Sequence, residues 1–211
     1  MIPIPQDWYA SEDVVELARN LLGKMIISRV GDRFTSGMIV ETEAYRAPDD
    51  KGSHAYGNRH TKRTATMFGP PGCAYVYLCY GIHHLCNVVT GPPDTAHAVL
   101  IRAVEPIEGT EHISHRRSMP QTVYHLTNGP GKWTKALGIT TALDGIPYHD
   151  PSSPVIICEG KFIANEQIIA GPRVGIAYAK ECALWDWRFS IRDSPWVSRP
   201  TRVSYPELED L

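Results

Sequence analysis

The sequence predicts a mixed α and β fold resting on a mostly antiparallel sheet. Three observations lead there. Segments of strand character outnumber segments of helical periodicity, the links between them are short, and the 211-residue chain carries neither an internal repeat nor a linker long enough to divide it.

The elements follow in order. Ser11 to Gly23, "SEDVVELARNLLG", reads as a helix with Ser11 as N-cap and Gly23 at the left-handed C′ position. Val14, Leu17, Ala18 and Leu21 give it one apolar face. "KMIISRV" and "FTSGMIVETEAY" read as strands joined by a turn at Asp32. Cys73 to Thr90 reads as a β-hairpin that reverses at Tyr80-Gly81-Ile82. "HAVLIRAVEP" is a further strand, and a helix is expected from Pro106 to Arg117 because proline is tolerated in a first helical turn. Gly129 to Gly138 is a short helix with a glycine-proline start and a glycine stop. "SPVIICEG", "RVGIAY" and "WRFSIRDSPWVS" supply late strands, and residues 200–211 read as a loose tail. Pro70–Pro71, Pro92–Pro93 and Pro151–Pro154 read as rigid loops inside one domain spanning residues 1–211.

The bulk numbers exclude some classes. A net charge of −2 does not draw the whole chain to a polyanion, so a nucleic-acid partner needs a local patch. No apolar run reaches a membrane span and "MIPIPQDW" is not a signal peptide, so a cytoplasmic protein is expected. The five cysteines have no C-x-x-C spacing and read as small hydrophobes rather than a zinc site or a disulfide framework. His83 and His84 are neighbours on a strand and face opposite ways, so they do not share a metal ion.

Four features could carry chemistry. Glu41, Glu43 and Tyr45 share one strand face, with His54 soon after. The bland reading is a polar strand end; paired carboxylates also occur in sugar hydrolases. Tyr75 and Tyr77 share a face of the hairpin and read as core aromatics. Tyr80 at the tip either decorates a turn or acts as a wedge between stacked bases. Lys51, Arg59, Lys62 and Arg63 lie in a stretch without acids, and His112, His115, Arg116 and Arg117 precede Lys132 and Lys135; such runs are solvated loops or phosphate contacts. Asn128–Lys132 could offer a helix start to a phosphate.

Six blocks and one histidine settle on a known pattern. "VETEAY" with His54 nine residues on, "MFGPPGCAYVYLCYGIHHLCNVV", "VLIRAVEP", "GPGKWTKALGI", "RVGIAY" and "SPWVS" come in family order from Met38 to Ser198. Together they closely resemble the alkyladenine, or 3-methyladenine, DNA glycosylases. The resemblance implies a single compact α+β domain with a curved, mostly antiparallel β-sheet, flanking helices and a protruding β-hairpin. It implies a monomeric enzyme of base-excision repair, nucleoid-associated in a bacterium. Such an enzyme everts an alkylated or deaminated purine from double-stranded DNA and cleaves its N-glycosidic bond without a cofactor, a metal or strand cleavage.

Carried over by position, Glu43 matches the general base, and Arg102 and the Val174 backbone match groups that hold the attacking water. Tyr45, His54 and Tyr77 match the walls of the base pocket, and Asn87 matches the residue that reads the purine edge. Tyr80 matches the side chain that fills the gap left by the everted nucleotide, and Met67 a residue near the minor groove. Arg59, Lys62, Arg63 and Lys132 are the expected phosphate contacts. Glu41 receives no chemistry from the family. Departures from the pattern are His97, the Pro92–Pro93 loop and the His83–His84 pair. Two rivals remain: a carbohydrate hydrolase using Glu41 and Glu43 as acid and base, and a nucleic-acid-binding module without catalysis.

Overall fold

A computed structural model describes residues 1–199; the expected loose tail lies outside the described residues. Eight strands form one antiparallel sheet among the described residues. They are β1 (Met25–Arg29), β2 (Phe34–Tyr45), β3 (Ala74–Cys79), β4 (His83–Thr90), β5 (His97–Glu108), β6 (Val155–Cys158), β7 (Ile168–Gly171) and β8 (Arg188–Ile191). The order β3-β4-β5-β2-β1-β6 runs across the sheet, and β8 pairs with both β2 and β7. The antiparallel pairing expected from the short links is therefore complete.

Strand β2 organises the sheet. Its first half pairs with β1, its Glu41–Glu43 segment pairs with β8, and β5 runs along its other edge. The β2–β5 register is irregular in the middle: Ile39 faces Val104, Glu41 faces Ala103 and Thr42 faces Ile101. Val40 and then Arg102 are thus passed over, a bulge of the kind that re-aims a side chain.

Helix α1 (Val14–Asn20) packs on the sheet face opposite the cavity described below. Thr42 Oγ1 donates to the Ala18 carbonyl at 2.7 Å, so Thr42 points to α1 while its neighbours Glu41 and Glu43 point away. The expected N-cap Ser11 is corrected to Asp13, whose carboxylate accepts from the Val15 and Glu16 amides. Gly23 takes positive φ, where a Cβ would lie 2.1 Å from the Lys161 carbonyl oxygen.

Helix α3 (Pro130–Leu137) buries Trp133, Ala136 and Leu137 in the same core. The Trp133 indole donates to the Ile101 carbonyl at 2.9 Å, fixing the helix against β5. Helix α2 (Thr110–Arg117) starts later than expected. Pro106 belongs to β5 opposite Gly37, beside a register shift where a missing N–H is tolerated, and Gly109 at φ 68° makes the corner into the helix. A smaller core of Ala47, Ala55, Met67, Cys73, Tyr75, Val89, Ala96 and Ala98 lies under the loops after β2.

The segment "RVGIAY" is not a strand; β7 ends just before it. Gly175 sits at φ 80°, and the Val174 amide donates to a carboxylate instead of a neighbouring strand. The hairpin forms as the sequence implies, with Cys79 facing His83 around the reversal and both Tyr80 and Gly81 at positive φ. No helix among the described residues is long and apolar enough to cross a membrane. All five cysteines are free thiols.

Candidate active site

Four strands each deliver one side chain to a single row. Glu43 on β2 pairs with Leu100 on β5, Leu100 pairs with Asn87 on β4, and Asn87 pairs with Tyr75 on β3. Residues directly opposite on neighbouring strands share a face, so the row lines one wall. Tyr45 and Tyr77, two residues beyond Glu43 and Tyr75, extend it on the same face. These residues line a cavity of about 630 Å³, within the range of small-molecule sites.

Glu43 forms the floor and is wholly buried. Its Oε1 accepts from the Val174 amide at 2.7 Å. Its Oε2 accepts from the Tyr45 hydroxyl at 2.8 Å and lies 3.2 Å from Arg102 Nη1. Burial foremost, and then the Glu43 charge, push the Tyr45 pKa far up, so Tyr45 is a lasting donor. Burial works against the Arg102 charge, but Glu43 and Glu41 outweigh it and hold its pKa above the ordinary value.

Glu41 is occupied on every side. Arg102 Nε and Arg188 Nη1 reach its Oε1 at 3.2 and 2.9 Å, and the Ser198 amide donates to its Oε2 at 2.7 Å. Such a carboxylate has no freedom to serve as a catalytic acid, which removes the paired-carboxylate hydrolase.

A fourth buried ion pair fixes the site's flank. Arg173 donates twice to Asp50, at 2.5 and 2.7 Å, and to the carbonyls of Ala44 and Cys182. Its guanidinium also packs over the rings of Tyr45 and Trp187. One arginine therefore joins the end of β2, the loop leading to His54, and the peptide unit that presents the Val174 amide.

The opposite wall is aromatic. His54 meets Tyr77 edge-on with centroids 4.7 Å apart, and Tyr77 lies 5.3 Å from Tyr75. His54 Nε2 is 3.2 Å from Arg63 Nη2, and Nδ1 is 2.9 Å from the Tyr75 hydroxyl. A guanidinium cannot accept, so Nε2 is the acceptor and the proton sits on Nδ1. Burial foremost, and then the Arg63 charge, bring the His54 pKa down to about 4, so the ring is neutral at pH 7. Burial pushes the Tyr75 hydroxyl up to about 12 and Tyr77 higher still. At the rim Tyr80 is 90 % exposed at the hairpin tip, and Lys132 bonds Asn128 at the start of α3.

Comparison with known proteins identifies the arrangement. A family model described as methylpurine-DNA glycosylase matches residues 7–195, nearly the whole described chain. The chain belongs to the methylpurine-DNA glycosylase family. It is thereby a DNA-repair hydrolase of the N-glycosidic bond, as the sequence blocks imply. Relatives in Bacillus cereus (strain AH820) and Bacillus anthracis (strain A0248), each named "Putative 3-methyladenine DNA glycosylase", are 44 % identical over 202 residues, covering 92 % of this chain and 98 % of theirs. A relative of the same name in Bacillus thuringiensis (strain Al Hakam) is 43 % identical with the same coverage.

In this glycosylase the structure brings Glu43, Arg102, Val174, Tyr45, His54, Tyr77, Asn87, Met67, Tyr80, Arg63 and Lys132 to the cavity. Arg59 and Lys62 border a smaller space beside it, reached through Arg63. Asn87 is tied down by donating from Nδ2 to the Tyr75 carbonyl at 2.9 Å. Met67 is 2 % exposed and forms part of the inner wall.

Of the departures, His83 lines the cavity against Gly131, His84 accepts from the Thr141 amide at 3.2 Å, and His97 lies away near Arg46 and Asp49. The second basic concentration is structural in part. Arg116 donates to the Val30 and Ala136 carbonyls, and Arg117 donates to that of Leu126. Sequence reasoning missed Asp50, Arg173 and Arg188; their partners lie 123 to 147 residues away and leave no local signal.

Proposed function

We propose that the protein excises cationic methylated purines, 3-methyladenine and 7-methylguanine, from double-stranded DNA by base eversion and water attack at the anomeric carbon. The observation that carries this reading is the row that sets Glu43 beneath aromatic walls and in line with Asn87.

A base inside a duplex is out of reach and must be everted, at a cost of a few kcal/mol. Tyr80, exposed at the hairpin tip, offsets part of that by stacking where the base was, worth roughly 1–3 kcal/mol. The everted base enters between Tyr45 and the His54–Tyr77 pair. Those ring faces favour a positively charged purine over a neutral one. Asn87, with its amide nitrogen held by the chain, meets the purine edge.

As the glycosidic bond breaks, the sugar gains oxocarbenium character. The Glu43 carboxylate stabilises that charge and takes a proton from the attacking water. Val174 and Arg102 hold the carboxylate in place. The carboxylate is wholly buried at the floor of the cavity, where the everted nucleotide brings its anomeric carbon.

The walls also bear on lesion choice. Tyr45, Tyr75 and Tyr77 all hold their protons more tightly than a free phenol, and His54 is neutral with its proton bonded to Tyr75. None of these groups readily protonates a leaving base. A base that brings its own positive charge leaves without that help, whereas neutral hypoxanthine does not.

The reading is tested with duplexes that each carry one damaged purine. The expected result is free 3-methyladenine or 7-methylguanine and an intact strand with an abasic site. Slower release of hypoxanthine and no cleavage of simple glycosides are expected alongside. A protein that binds these duplexes without releasing base would instead be a binding module.

A further inference from the structure

Arg63 stands at the join of two spaces. Its guanidinium carbon is 4.8 Å from the centroid of the Tyr77 ring, and its Nη2 is 3.2 Å from His54 Nε2. It lines the base cavity and also the smaller space bounded by Ser53, Arg59, Thr61, Lys62, Thr64 and Tyr178. The residue itself is exposed, and its contacts to Tyr77 and His54 are of the kind a long side chain gives up at modest cost.

Those two contacts are the ones a purine needs. In the reading above the base stacks on Tyr77, and His54 Nε2, which Arg63 occupies, is the acceptor of that ring. A purine and the guanidinium compete for the same face of that ring, and a cationic purine is repelled by Arg63 as well. Arg63 also places a positive charge beside His54, which adds to burial in keeping that ring neutral. The corner therefore holds a cation of its own, and a base stacks there only when Arg63 withdraws. The smaller space gives it a destination. Arg59 and Lys62 border it, and a backbone phosphate drawn to those charges attracts Arg63 away from Tyr77.

We propose that Arg63 makes the base pocket answer to DNA rather than to free purines: it stacks on Tyr77 and bonds His54 until a backbone phosphate beside Arg59 and Lys62 draws it aside. This rests on the glycosylase reading above. It assigns Arg63 a role in specificity, because free bases and nucleotides bring no flanking backbone to withdraw it.

The test compares the wild type with Arg63→Ala and Arg63→Gln on two probes, followed by calorimetry at fixed salt. One probe is free 3-methyladenine; the other is a short duplex with a stable abasic-site analogue. Both variants should bind the free base about five- to tenfold more tightly than the wild type, the size of one exposed cation–π contact and a hydrogen bond removed from competition. Both should bind the abasic duplex more weakly. Equal or weaker affinity of both variants for the free base overturns the proposal, as does failure of every form to bind it at millimolar concentration. Thermal midpoints check that the variants fold, which is expected of an exposed residue. Base release by the wild type is measured in parallel. Release without tighter base binding in the variants sinks the Arg63 role alone, whereas no release by the wild type sinks the glycosylase reading and this inference with it.

Discussion

Arg102 Nη1 lies 3.2 Å from Glu43 Oε2 while its Nε reaches Glu41, so one guanidinium spans two buried carboxylates from the bulge in β5. An ammonium cannot do both, because lysine offers a point charge rather than a fork. Arg102→Lys is expected to lower the single-turnover excision rate by ~10- to 100-fold, the worth of one hydrogen bond to a charged group, with duplex affinity little changed. An unaltered rate would show that Arg102 does not orient the carboxylate.

Tyr80 is expected to act on DNA and not on stability. Tyr80→Ala should weaken binding to a lesion-bearing duplex by about 5- to 150-fold, the range of one base–aromatic stack, while the thermal midpoint stays put because the side chain is 90 % exposed. Binding isotherms and a melting curve on the same preparation decide it. Unchanged affinity and eversion count against the wedge.

Asp50 and Arg173 form a fully buried pair, whereas Asp49 and Arg46 form a surface one. Removing one charge of a buried pair strands the other. Asp50→Asn should cost about 3–5 kcal/mol, and Asp49→Asn under about 1 kcal/mol. Urea denaturation measures both. Equal effects would mean that the Asp50 pair does not anchor the flank that carries Val174.

His54 gives the protein an acid-sensitive window. Its folded pKa of about 4 lies below the roughly 6.5 of an unfolded histidine, so between those values the unfolded chain binds a proton that the folded chain refuses. Stability is complete above the window and falls as pH drops through it. His97, whose pKa burial also lowers, adds to the same slope. His54→Gln should flatten the pH dependence of unfolding between about pH 6.5 and 4 by up to one proton. Denaturation series at several pH values would expose a slope that stays the same.

Much of this was legible in the sequence, for physical reasons. The hairpin announces itself through alternation on both sides of Tyr80-Gly81-Ile82, and β2 through an unbroken strand pattern that sets Glu43 and Tyr45 on one face. What stayed hidden depends on partners distant in the chain. "RVGIAY" alternates like a strand, yet the Val174 amide bonds Glu43, 131 residues earlier. Pro106 looks like a helix start until Gly37 is seen across the bulge. Arg116 and Arg117 look like phosphate contacts until the carbonyls they cover are known. The cross-sheet row needs the register of four strands, which local pattern does not supply.

The most direct test is single-turnover release of 3-methyladenine from a duplex with one such lesion, by the wild type and by Glu43→Gln, with duplex affinity measured for both. Base release by the wild type is expected, with a variant at least about a hundredfold slower that binds the duplex as well. Release by Glu43→Gln at the wild-type rate would contradict it.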